Sequence, residues 1–280
     1  MSDKRHVIIQ HLLPKRAITE FGWYVANAKA GLITSAIIRW FVGKYGVNMD
    51  EAVNPDISSY ASFNTFFTRP LRAGVRPLAN STFISPVDGA ISQLGHIEHD
   101  QLLQAKGHTY STRALVGGDA ALAEKFNNGE FATIYLSPKD YHRIHIPCDG
   151  KLTQMIYVPG DLYSVNPTTA RGVPGLFARN ERVVCVFETA HGLMVITLVG
   201  AAIVGSMETV WHGTVNPPRT RNVRTWDYTH DNITLKQGDE MGRFLLGSTV
   251  VMLFQQGAMQ FNPDWQADRP VQMGTAMSQN

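Results

Sequence analysis

The chain is poor in cysteine: Cys148 and Cys185 are the only two in 280 residues. A disulfide scaffold is thereby excluded, and a reducing compartment is the natural setting. Charge is also sparse. Charged residues make up 17% and hydrophobic ones 44%, so a packed core is expected and disorder is not. Long apolar runs that read as membrane spans are missing. Within the first 47 residues no uncharged stretch exceeds nine residues. Residues 189–207 are uncharged for nineteen, but Gly192, Gly200 and Gly205 interrupt them. Their richness in Val, Ile and Thr reads as buried strands joined by turns. No signal peptide is expected, because Pro14, Lys15 and Arg16 break the early apolar run and no small-residue cleavage site follows. Internal repeats are absent. Basic clusters do not recur along the body, so nucleic acid is not an expected partner.

What charge there is lies unevenly. Residues 1–47 carry seven Lys/Arg and two Asp/Glu, whereas the remainder carries eighteen and twenty-one. The positive surplus therefore belongs to the N-terminal segment, as expected of a segment that meets anionic lipid headgroups. Residues 17–45 read as helix, with Phe21, Val25, Leu32 and Ile33 at helical spacing and Trp23, Tyr24, Trp40 and Phe41 beside them. Aromatic and basic residues around an apolar face fit an interfacial helix, and fit equally a helix packed on its own domain. Asn54-Pro55 marks a boundary. It divides a basic amphipathic helical segment, 1–53, from a β-rich domain, 54–280. Strands are predicted at 131–136, 152–158, 183–189, 193–199, 202–210 and 244–254, with a hairpin turn at 189–192 and a short helix within 120–126. Helices of crossover length between strands are missing, which favours antiparallel pairing. The predicted class is α+β, mostly β: an antiparallel sandwich core preceded by N-terminal amphipathic helices.

The segment Leu246-Gly247-Ser248-Thr249 stands inside the apolar run 244–254. Gly247 has no Cβ, so its carbonyl can be approached closely. Ser248 is a candidate nucleophile that needs a nearby base. The same Gly-Ser pair also fits a bulge in a core strand. Asp88-Gly89 is a turn dipeptide as well as a carboxylate source. His142, His145 and Cys148 are spaced by three, which invites a metal reading; Pro147 opposes it, because it prevents a helix that would align all three. No metal is expected.

Four further segments join Leu246-Gly247-Ser248-Thr249 in chain order. They are Ser62-Phe63-Asn64-Thr65-Phe66-Phe67-Thr68-Arg69-Pro70-Leu71-Arg72, Ser85-Pro86-Val87-Asp88-Gly89-Ala90, the run 136–148 with Tyr141, His142 and His145, and the run 157–167. Together they resemble the phosphatidylserine decarboxylases, a pyruvoyl-dependent family of carboxy-lyases. The resemblance implies a proenzyme that cleaves itself between Gly247 and Ser248 into a large chain, 1–247, and a small chain, 248–280. It implies that Asp88, His145 and Ser248 form the self-cleavage triad, with histidine as base and aspartate fixing its tautomer. Ser248 then becomes a covalent pyruvoyl group, the cofactor, which forms a Schiff base with the serine amine of phosphatidylserine. His142 is implied for the decarboxylation step, with Tyr135 a second candidate. The loop at 160–164 either helps bind the headgroup or is an ordinary turn. The implied partners are phosphatidylserine, an anionic membrane surface and the two chains of one proenzyme, with a homodimer left open. The implied location is peripheral, on the cytoplasmic side of the cell membrane.

A second resemblance concerns fold alone. Ser85-Pro86-Val87-Asp88-Gly89 and the run 236–244 look like the two ends of a lipoyl- or biotinyl-carrier sandwich. The comparable hairpin, 205–209, has no lysine for attachment, so a carrier function is not expected. A serine hydrolase acting on an external ester is the other rival. The Gly-x-Ser-x-Gly elbow is absent around Ser248.

Overall fold

The computed structural model describes residues 15–201, 206–245 and 248–279, with only the backbone of Arg16 and Ser248 included. The N-terminal region is two helices, α1 (Lys15–Asn27) and α2 (Leu32–Tyr45), rather than the single helix expected over 17–45. The break falls at Gly31, whose φ of 56° is the left-handed region that side chains disfavour. A short helix, α3 (Phe63–Phe67), follows, and its capping box is formed by Ser62 and Thr65. Ile38 and Val47 meet Phe66 and Phe67 in a small cluster that binds α2 to this helix.

The remainder is β-rich, as expected. Among the described residues the main sheet runs β11 (Arg224–Asp227), β6 (Gly150–Val158), β7 (Arg182–Thr189), β8 (Gly192–Val199), β14 (Ser248–Phe254), β4 (Glu130–Leu136), β1 (Gly89–His96) and β15 (Pro270–Val271). β12 (Thr234–Leu235) also pairs with β6. A second sheet runs β10 (Gly213–Asn216), β9 (Met207–Thr209), β13 (Glu240–Phe244) and β5 (Arg143–His145). β2 (Gln101–Ala105) and β3 (His108–Ser111) form a ribbon. All of these strand pairings are antiparallel. Four more short α-helices occur among the described residues: α4 (Thr112–Leu115), α5 (Ala120–Glu124), α6 (Pro167–Gly172) and α7 (Leu176–Arg179).

The main sheet is buried on both faces, which explains its continuous apolar strands. Along β14, Val250, Met252 and Phe254 join a core shared with Ile144, Met207, Met241 and Phe244 of the second sheet. Val251 and Leu253 point the other way, into a core shared with Leu115, Leu122 and Phe177 of the short helices. Each such side chain, fully buried, stabilises the fold by roughly 1.5–3 kcal/mol. Cys148 and Cys185 are free and buried.

A further expectation is corrected, and another lies partly outside the described residues. The run 244–254 is not one strand: Phe244 ends β13 in the second sheet, Leu245 bends, and Ser248 opens β14 in the main sheet. Apolar periodicity cannot separate two buried strands that follow one another. The strand predicted at 202–210 is described only from Ser206, with β9 at Met207–Thr209, and the hairpin turn falls at 210–212, beyond 205–209. The turn at 189–192 is as predicted: the Thr189 hydroxyl accepts from the His191 N–H and donates to the Gly192 carbonyl.

Candidate active site

Where the chain changes sheets, the segments singled out in the sequence converge. The Phe244 N–H donates to the His142 carbonyl at 3.0 Å, which pins the end of β13 beside the histidine segment. Four residues later Ser248 pairs in register with Leu136 on β4, and Thr249 pairs with Tyr135. On the far side of β4, Tyr135 pairs with Ala90 on β1, one residue beyond Gly89. Two strand spacings of about 4.8 Å therefore separate the backbone at Ser248 from that near Gly89. Gly89 permits this register, because a Cβ there would lie 2.4 Å from the Tyr135 carbonyl oxygen. Ser248 is placed by its backbone; Gly247 and Leu246 lie outside the described residues.

Asp88 directly precedes β1. Its carboxylate accepts from Arg76 Nε at 3.0 and 3.2 Å, from Arg76 Nη2 at 2.6 Å and from the Met273 N–H at 2.8 Å. Arg76 Nη2 also donates to Glu51 at 2.7 Å. Burial alone would lower the Arg76 pKa, but the hydrogen bonds and charges of Asp88 and Glu51 outweigh it and raise it well above the usual value.

His145 is buried on β5. Its Nδ1 lies 2.8 Å from the Gly238 carbonyl. A carbonyl only accepts, so Nδ1 carries the proton and Nε2 is left to accept from the Tyr141 hydroxyl at 3.0 Å. Burial holds its pKa below the usual value. Asp88 is thus in electrostatic reach of His145, acting to raise its pKa, but it does not hydrogen-bond the imidazole; the tautomer expected from an aspartate is set here by Gly238. The His145 N–H donates to the Pro86 carbonyl at 2.9 Å, which ties β5 to the segment leading into Asp88.

His142 is fully buried. Its Nδ1 donates to the Asp140 carbonyl at 2.7 Å, and its ring lies 4.0 Å from that of Phe67. Burial pushes its pKa down to about 3, so it is a neutral base. Its Nε2 lone pair has no hydrogen-bond partner among the described residues. The third potential ligand of the metal reading, Cys148, is a core residue whose thiol burial pushes up to about 12. Among the described residues no group of three His, Cys, Asp or Glu side chains is disposed to hold a metal ion.

A cavity of about 480 Å³ lies beside Asp88, and neither His142 nor His145 is among the residues that line it. Asp88, Tyr135 and Tyr141 line it, as do Arg69, Ser137 and Lys139. Burial raises the pKa of both tyrosines. Gly46 and Asn48, just beyond the end of α2, line it too. Of the run 157–167 only Pro167 reaches it among the described residues. Gly160 is packed against the backbone of α7 and beyond, and Asn166 caps α6.

Arg69, Arg76, Tyr141 and Gly238 were given no role by sequence reasoning. Arg69 and Tyr141 sat inside motifs already picked out. Arg76 carried no signal, because its partners lie 12 and 25 residues away. For Gly238 the working group is a main-chain carbonyl, which no side-chain pattern records.

Buried titratable groups gathered around one cavity are the arrangement of an enzyme site, one suited to acid–base chemistry. Comparison with other proteins narrows the class. The family model described as phosphatidylserine decarboxylase matches residues 63–279, and a second, described as PSD, matches residues 6–46. The chain is 66% identical over 280 residues to the phosphatidylserine decarboxylase proenzyme of Dechloromonas aromatica, spanning 100% of this chain and 99% of that protein. It is 66% identical over 279 residues to the proenzyme of the same name from Herminiimonas arsenicoxydans, spanning 100% of this chain and 95% of that one. The chain belongs to the phosphatidylserine decarboxylase family, and with it to the carboxy-lyases.

Proposed function

We propose that this chain is a proenzyme that cuts itself between Gly247 and Ser248 and then decarboxylates phosphatidylserine to phosphatidylethanolamine and CO2. The observation that carries the reading is the sheet crossing: between Phe244 and Ser248 the backbone passes from one buried sheet to the other, pinned to His142. A peptide bond at such a crossing can be attacked without unravelling either strand.

In the first stage the Ser248 hydroxyl attacks the Gly247 carbonyl and replaces the peptide bond by an ester. His145 takes the hydroxyl proton; it is neutral, with Nδ1–H held by Gly238 and basic Nε2 facing the Tyr141 hydroxyl. Asp88 stabilises the imidazolium from a distance, and Arg76 and Met273 fix the carboxylate in place. Elimination across the Ser248 Cα–Cβ bond frees the Gly247 carboxylate. Hydrolysis of the resulting dehydroalanine releases ammonia and leaves the small chain, 248–280, with a pyruvoyl N-terminus.

The site suits such a group, because a neutral, buried imidazole whose Nε2 has no partner among the described residues belongs to the segment that holds the end of β13, four residues before Ser248. A pyruvoyl group formed at Ser248 would supply an electrophilic carbonyl for the substrate amine and a sink for the electron pair released with CO2. His142 works in this second stage, where its Nε2 exchanges the proton at the substrate carbon. Tyr135, on the cavity wall, is the second candidate for that proton. No external cofactor or metal enters.

The substrate reaches the cavity from a membrane. Ile38 packs inward, but other large apolar residues of α1 and α2 do not: Phe21 is 72%, Leu32 89%, Ile33 65% and Trp40 59% exposed. This face, with Lys29, Arg39 and Lys44 on the same helical segment, rests on the cytoplasmic side of the cell membrane, and α2 ends at the cavity. No helix among the described residues is long and apolar enough to cross a membrane. The carrier reading finds no support, because the hairpin at 207–216 contains no lysine.

A denaturing mass spectrum of freshly purified protein tests the proposal. Two fragments are expected, the smaller blocked and bearing a ketone, with Ser248→Ala giving one intact chain. An intact wild-type chain that decarboxylates normally with an unmodified serine would end it.

A further inference from the structure

One wall of the cavity holds a cation with no ion-pair partner among the described residues. Arg69 is only 3% exposed, yet its guanidinium makes one hydrogen bond, from Nη2 to the Lys139 carbonyl at 3.3 Å. Nε and Nη1 are buried and have no partner among the described residues. Phe66 lies under the group, its ring centroid 5.4 Å away. The carboxylates that could neutralise it are engaged elsewhere. Asp88 and Glu51 hold Arg76, and Asp140 accepts from the Ser137 N–H at 2.6 Å. A buried guanidinium left in this condition is costly unless an anion completes it. Two more donors stand on the same wall. The Ser137 hydroxyl is buried and unpartnered, and the Lys139 ammonium forms no ion pair among the described residues.

We infer that Arg69, with Ser137 and Lys139, binds the phosphodiester of the substrate headgroup. The inference rests on phosphatidylserine being the substrate. That molecule offers two anions, the phosphodiester and the serine carboxylate, and both suit a guanidinium. Mechanism decides between them. The carboxylate loses its charge as CO2 departs, so a cation clamped on it would hold the ground state and oppose the reaction. The phosphodiester keeps its charge throughout. A cation there binds substrate, transition state and product alike, which shows in KM and not in kcat.

The test uses mature two-chain enzyme and a water-soluble, short-chain phosphatidylserine. Arg69→Met should raise KM about ten- to hundredfold and leave kcat within about threefold. The Kd of glycerophosphoethanolamine, which has the phosphodiester but no carboxylate, should rise by the same factor. Turnover of O-methylserine, which has the carboxylate but no phosphodiester, should not change. The reverse pattern, with O-methylserine affected and glycerophosphoethanolamine untouched, would assign Arg69 to the carboxylate and overturn the inference. Unchanged constants for every compound would make Arg69 a structural residue and overturn it equally. If Arg69→Met does not mature, Lys139→Gln at an exposed position on the rim of the cavity decides instead. A KM raised about three- to tenfold with normal maturation supports the subsite, and no change refutes it. Wild-type protein that fails to decarboxylate phosphatidylserine at all would instead remove the underlying reading.

Discussion

Replacing His142 by glutamine should flatten the acid limb of the stability curve. Burial holds the imidazole at a pKa of about 3, against an ordinary value near 6.5. Between those two values the unfolded chain binds one proton that the folded chain refuses. Stability contributed at this position is therefore whole above about pH 6.5 and is lost as pH falls through that window. Each unit in the window is worth about 1.36 kcal/mol, so going from pH 7 to pH 5 should cost roughly 2 kcal/mol from this residue alone. Glutamine can still donate an amide N–H toward the Asp140 carbonyl but cannot take up a proton. The measurement is urea unfolding at pH 7 and pH 5 on the Ser248→Ala chain, with and without His142→Gln. Keeping the protein in one piece keeps the equilibrium unimolecular. The loss of stability on acidification should be about 2 kcal/mol smaller with glutamine. Other groups that titrate, His145 among them, cancel in this double difference. Equal losses in the two proteins would mean that His142 protonates freely when folded and is not held as a neutral base.

The remaining predictions concern chemistry and location. His145→Ala and Asp88→Asn should accumulate as single-chain precursors, whereas His142→Ala should still split yet decarboxylate about 10²–10⁴-fold more slowly, as read by gel and CO2 release. An uncleaved His142→Ala beside a normally matured His145→Ala would reverse the two roles. Borohydride with substrate present should inactivate the wild-type enzyme and add mass to the small chain, while a chelator leaves turnover unchanged. Loss of activity in chelator that zinc restores would revive the metal reading of His142, His145 and Cys148. Binding to anionic vesicles should weaken as salt rises, because exposed charges are screened over about 10 Å at 0.1 M. Removing residues 1–47 should reduce vesicle binding more than turnover of a short-chain substrate; equal vesicle binding would show that the exposed face of α1 and α2 meets no bilayer.

The sequence disclosed most where a pattern is local. Alternation and β-branched runs located β4, β6, β7 and β8, and the Thr189–Gly192 turn followed from its own four residues. The helix break at Gly31 was hidden by Ala28, Lys29 and Ala30, which are good helix formers and give no other warning. The split of 244–254 was hidden because both strands are apolar and a bend at Leu245 changes no composition. In the site, His142, His145 and Asp88 were legible as residues, while their partners were not. The Gly238 carbonyl is contributed from 93 residues away and the Met273 N–H from 185, and main-chain groups leave no mark in sequence. Phe21, Val25, Leu32 and Ile33 were read as one helical face; they fall on two helices, and only the fold shows that they are left uncovered.

The position of β14 has a consequence for the life history of the molecule. The strand lies between β8 and β4, joined to each by an antiparallel ladder, and its residues from Thr249 to Phe254 are almost completely enclosed. With the proposed cleavage before Ser248, the piece from 248 onward would be a separate polypeptide threaded through the middle of another. A cut polypeptide that unfolds must then find its counterpart in solution before the sheet can close again, and its recovery would depend on concentration. The uncut chain meets no such requirement, since the missing strand is always tethered next to its slot. Under the proposed cleavage, being encoded as one chain would serve as an assembly aid that is discarded after use, with folding preceding cutting.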